Sequence, residues 1–67
     1  MYRIVDEFSV RSKKVIVLDN VRGREDFGAK TILIDDKNYS FIPTHNDYMY
    51  VIDTTESLLG KSVSFMI

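Results

Sequence analysis

Apolar and polar residues alternate with period two near the start of the chain: Tyr2, Ile4, Phe8 and Val10 against Arg3, Ser9 and Arg11. This is the spacing of a half-buried strand. Asp6-Glu7 breaks the alternation, and a bulge or a sheet-edge position there lets both acids reach water. Arg11-Ser12-Lys13-Lys14 reads as a hairpin tip. The run Val15-Ile16-Val17-Leu18 that follows reads as a strand covered on both faces.

Residues 19–28 hold two glycines and alternating charges, the marks of a loop or an irregular edge strand, with Phe27 as its apolar anchor. Residues 30–34 form a strand and Asp35-Asp36-Lys37-Asn38 a turn with Asn38 in the left-handed position. Residues 39–42 are the return strand, ended by Pro43, which has no N–H for a ladder. After a polar loop, residues 48–52 form another strand. Thr54 or Thr55 caps a single helical turn that Gly60 terminates. Residues 61–67 close the chain, with Val63, Phe65 and Ile67 inward and Ser62 and Ser64 outward. The uncharged windows 15–18 and 48–52 are the natural central strands, because exposed they would aggregate.

The expected fold is therefore all-β: a small six-stranded antiparallel barrel over residues 1–67, one domain, with at most one short helical turn. Closure is the economical answer to strand edges in so short a chain. A domain of this size buries only about 60% of its unfolded surface. Without cysteine it has no disulfide or thiolate metal site, so apolar packing must hold it. A hydrophobic content of 45% is too high for a disordered segment.

The formal net charge of −1 argues against non-specific nucleic-acid binding driven by counterion release. No apolar run approaches the roughly 20 residues of a membrane span. Asp6 and Glu7 stand where a signal peptide would be apolar. A cytoplasmic location and no membrane partner are expected.

Chemistry is sparse. His45 lies near Asp47 in a polar loop, but a metal site needs three or four ligands, and no nucleophile accompanies the pair. Asp6-Glu7 and Asp35-Asp36 are sequence neighbours that point to opposite faces of a strand, so neither pair converges for acid–base work. Gly60-Lys61-Ser62 resembles the end of a phosphate-binding loop but lacks the upstream glycine and leads into a strand. No catalytic, cofactor or metal residue is assigned, and no enzyme activity is expected. The candidate binding surface comprises Arg11, Lys13 and Lys14 at the hairpin tip, Arg22 and Arg24 around Gly23, and Tyr48 with Tyr50. The two tyrosines share a strand face and could stack bases. In the plainer reading the lysines guard an edge and the tyrosines cover the barrel.

Gly23, Phe27-Gly28, Ile32-Leu33-Ile34 and the closing Leu59-Gly60-Lys61-Ser62-Val63-Ser64-Phe65 resemble the second-domain β-barrel of translation elongation factors. The resemblance implies the barrel architecture alone. The GTP-binding domain of that family has no counterpart here, so nothing about GTP or tRNA carries over. The expected function is a small non-catalytic binding or interaction module. Its partner would be a protein, of identity unknown, reached through a loop or by strand addition at an edge marked by Asp6-Glu7. The alternative is OB-like or Sm-like binding of single-stranded nucleic acid, and either is compatible with a homodimer.

Overall fold

The computed structural model describes residues 2–19, 28–46 and 48–66. Among these, the chain forms seven strands and no helix: β1 (Tyr2–Val10), β2 (Lys13–Leu18), β3 (Thr31–Ile34), β4 (Lys37–Tyr39), β5 (Phe41–Pro43), β6 (Met49–Ile52) and β7 (Ser62–Met66). All pairings are antiparallel, and they make one open sheet in the order β4-β3-β7-β1-β2-β6-β5.

The count is seven rather than six because the expected return strand over residues 39–42 divides at Ser40. Its first part, β4, pairs with β3, and its second, β5, pairs with β6. These are the two edges of the sheet, so one residue of chain joins its opposite ends. Both edges are three residues long, one bearing Lys37 and the other Pro43, which discourages further strand pairing. The windows expected to be central are so: β2 lies between β1 and β6, and β6 between β2 and β5.

Strand β1 is the hinge of the sheet. Tyr2 and Arg3 pair with β7, whereas the residues from Ile4 to Val10 pair with β2. The sheet bends far enough for rings from its two halves to meet. Phe65 on β7 lies 5.2 Å from Tyr50 on β6 and 5.7 Å from Phe41 on β5, centroid to centroid, in edge-to-face geometry. The concave side so formed holds the core, with Ile16, Ile32, Ile52 and Val63 fully buried.

A register shift between Ile4 and Asp6 confirms the bulge expected at the acids. The acids also lie where β1 has a free side, because β7 pairs only with Tyr2 and Arg3 and leaves Asp6 and Glu7 paired with β2 alone. The bulge inserts one residue and so exchanges the faces of everything after it. Ile4 points into the core, but beyond the bulge Glu7 and Ser9 take the inner side, and Phe8 and Val10 are turned out.

Both tight hairpins have two-residue loops. Val10 pairs with Lys13 around Arg11-Ser12, and Ile34 pairs with Lys37 around Asp35-Asp36. Arg11 (φ 58°) and Asp35 (φ 54°) carry positive φ; the left-handed residue of the second turn is thus Asp35, not Asn38. The expected helical turn before Gly60 is replaced by irregular turns. In them Thr54 Oγ1 accepts the Glu56 N–H at 3.2 Å, and Leu58 is buried as deeply as any strand residue. Gly60 (φ 84°) turns the chain into β7 and donates its N–H to the Ile4 carbonyl at 2.9 Å.

Candidate functional site: an apolar convex face

Directly paired residues of adjacent strands lie on the same side of a sheet. The registers of β1, β2, β6 and β5 therefore assign each side chain to the concave or convex face. Phe8 pairs with Val15, Val15 with Val51, and Val51 with Ile42. These four form an unbroken apolar row across four strands on the convex side, with Phe8 46% and Ile42 58% exposed at its ends. On one flank lie Val10 and Lys13; on the other, Asp6, Val17 and Met49.

A shallow pocket of about 100 Å³ opens on this face at the β5 end. Val51 and Ile42 supply its apolar side and Lys13, Ser40 and Asp53 its polar side; Phe41 borders it with its ring turned inward onto Tyr50 and Phe65. Lys13 Nζ lies 2.9 Å from Asp53 Oδ1, so the two charges on the wall offset each other.

The convex side of the other half of the sheet is different. Leu33 pairs there with Ser64 and Asn38, and Arg3 with Ser62. The outward placement of Ser62 and Ser64 is the one expected. High β-propensity alone would favour valine or isoleucine at outward positions anywhere in the sheet. Here such residues concentrate on one half.

Among the described residues, the basic and aromatic side chains expected to form a binding surface do not gather. Arg11 is exposed on the hairpin tip, and Lys13 is held by Asp53. Lys14 is corrected from the tip to the interior. It belongs to the inward series Lys14, Ile16, Leu18, is only 8% exposed, and donates from Nζ to Ser9 Oγ at 2.8 Å. The expectation that Tyr48 and Tyr50 share a base-stacking face is also corrected. Tyr50 has no exposed surface and packs against Phe41 and Phe65, while Tyr48 stands exposed in the turn before β6. Arg22, Arg24 and Phe27 lie outside the described residues, as does Asp47. His45 is exposed.

The acids of β1 have structural partners. Glu7 Oε2 accepts the Ser57 hydroxyl at 2.7 Å, and Oε1 accepts the Leu58 N–H at 2.7 Å. These bonds, the Ser57 hydroxyl foremost, hold its carboxyl below its ordinary value of 4.5. Among the described residues no three His, Cys, Asp or Glu side chains are grouped to hold a metal ion. No helix among them is long and apolar enough to cross a membrane.

The apolar row was not anticipated from the sequence. Its signal was present in Phe8, Val15, Val17, Val51 and Ile42, but only the register brings them into line. No protein-family model, curated protein or solved structure matches the chain.

Proposed function

We propose that this chain is a non-catalytic interaction module that binds a partner protein on the convex face of β1, β2, β6 and β5. The observation that carries the reading is the row Phe8–Val15–Val51–Ile42, exposed at both ends and flanked by a pocket. A contiguous apolar patch with a polar rim is the usual character of a protein contact surface. The bent, open sheet supports it, with its two end strands β4 and β5 joined through Ser40.

Nucleic-acid binding through the basic tip has less support. Two of its expected contributors, Lys14 and Tyr50, are buried, and Lys13 is neutralised by Asp53. The test of the leading reading is capture of partners from a lysate of the source cells by tagged chain. Ile42→Glu and Phe8→Glu should abolish capture, while Ser64→Lys on the opposite half should leave it unchanged. Capture indifferent to both convex-face variants would refute the reading.

A further inference from the structure

The convex face is small. Four strands about 4.8 Å apart and three rows about 6.8 Å apart span roughly 14 by 14 Å, on the order of 200 Å². A stable dimer buries roughly 800 Å² on each partner. A second copy of this chain seated here would fall well short of that. The row does match one helix, since three turns rise about 16 Å on a body about 10 Å wide. A helix on the open face of a sheet is also among the standard ways in which such a face is covered.

Strand addition is disfavoured at the two end strands of the sheet. Strands β4 and β5 are three residues each, and Pro43 withholds a donor from β5, so an extended peptide gains few ladder bonds. The pocket adds an anchor point. Its volume of about 100 Å³ is below that of a cavity of about 150 Å³ that takes up benzene, and is suited to one aliphatic side chain. Its lining by Val51 and Ile42 is apolar, and the Lys13–Asp53 pair bounds it. On the opposite flank the exposed acid Asp6 stands beside Val17, where it favours a basic group.

We infer that the occupant of the convex face is an amphipathic helix of the partner protein. It lies along the Phe8–Ile42 row, places one aliphatic side chain in the pocket beside Lys13 and Asp53, and turns a lysine or arginine toward Asp6. This rests on the reading of that face as the binding surface. The occupant's apolar residues recur at i, i+4 and i+7, the spacing that keeps one helix face on the row.

The test presents the full chain to two displayed peptide libraries. One is a helix-favouring scaffold varied on one face, and the other is of extended strand-forming peptides. Sedimentation of the chain alone and flotation with phosphatidylcholine vesicles accompany it. The expected result is enrichment of helical peptides with aliphatic i, i+4 and i+7 residues. Their affinity should fall about tenfold or more in Ile42→Glu, the loss typical of a central contact residue, and stay unchanged in Ser64→Lys. Ile42→Ser replaces the glutamate variant if the latter loses its dispersed amide spectrum. Enrichment of extended peptides, self-association or vesicle binding, each abolished by Ile42→Glu, overturns the helix while sparing the face as a contact surface. Helical peptides that bind Ile42→Glu as well as the parent overturn both. Failure of all four arms overturns the inference, and the lysate capture then judges the surface separately.

Discussion

Glu7 accepts the backbone N–H of Leu58 at 2.7 Å across 51 positions of chain. With the Ser57 hydroxyl on its other oxygen, one carboxylate fixes the loop between β6 and β7 to the central strand β1. The bond exists because the bulge puts Glu7 on the inner side of the sheet, where it reaches the loop end that drops Leu58 into the core.

The pH dependence follows from the lowered carboxyl. A group whose folded pKa lies below its unfolded value stabilises the fold at pH above the unfolded value. That contribution is lost as pH falls through the folded one. Wild type should thus lose this increment as pH drops below about 4.5. Glu7→Gln keeps the shape but not the charge. It should be less stable at neutral pH by about 1 kcal/mol, the low side for a charge-assisted bond at a partly exposed site. Urea melts at pH 7 and pH 3 check this: the gap between the two proteins should close at the lower pH. An equal gap at both would show that the charge is not responsible.

Leu58 and Leu59 are neighbours with opposite fates, one without exposed surface and the other 55% exposed. Leu58→Ala should cost about 2–4 kcal/mol, a large share of the stability of so small a domain. Leu59→Ala should stay within about 0.5 kcal/mol of wild type. Thermal melts of the two variants side by side are the measurement, and similar losses would contradict the burial of Leu58.

Much of the fold was legible where alternation was clear or turn chemistry strong. Ser62, Val63 and Ser64 announced the two faces of β7, and Asp35-Asp36 announced the second hairpin. Elsewhere the pattern was silent or misleading for physical reasons. Residues 15–18 and 49–52 are apolar at every position, so nothing in their order says that Tyr50 faces in and Val51 out. Phe8 and Val10 continue the parity of Ile4, and only the extra residue of the bulge turns them outward. Leu58 sits in a segment with no period, where tertiary position alone decides burial. The convex row was hidden for the same reason, because it runs across strands and depends on three registers at once.

The two hairpin turns offer a test of backbone strain. Arg11 and Asp35 hold positive φ, a region that costs a residue with a Cβ roughly 1 kcal/mol and glycine almost nothing. Arg11→Gly and Asp35→Gly should each raise stability by about 0.5 kcal/mol, the remainder being offset by the larger unfolded-state entropy of glycine. The Asp35 variant also loses the Lys61–Asp35 pair at 3.6 Å, an exposed contact of little weight. Its gain should therefore match that of Arg11→Gly within a few tenths of a kcal/mol. Chemical denaturation of both variants decides the matter; destabilisation by either would mean that its side chain matters more than its dihedral.

The bulge holds one residue more than the pairing needs, and deletion of Val5 probes it directly. Val5 is itself exposed, so its side chain contributes little burial. Removing the residue erases the register shift between Ile4 and Asp6 and restores strict alternation along β1. Asp6 would then follow Ile4 directly and still oppose Val17, so Glu7 and Ser9 would stay on the inner side and Phe8 and Val10 on the convex side. The deletion variant should therefore fold with Glu7 still bonded to Ser57 and Leu58, and lose about 1 kcal/mol, the usual cost of a single change. Val5→Ser, which keeps the extra residue, should remain close to wild type. Amide spectra and melts of the two variants separate the roles of backbone and side chain at this position. A deletion variant that loses cooperative unfolding would mean that the bend at the bulge itself is needed for β1 to pair with both β7 and β2.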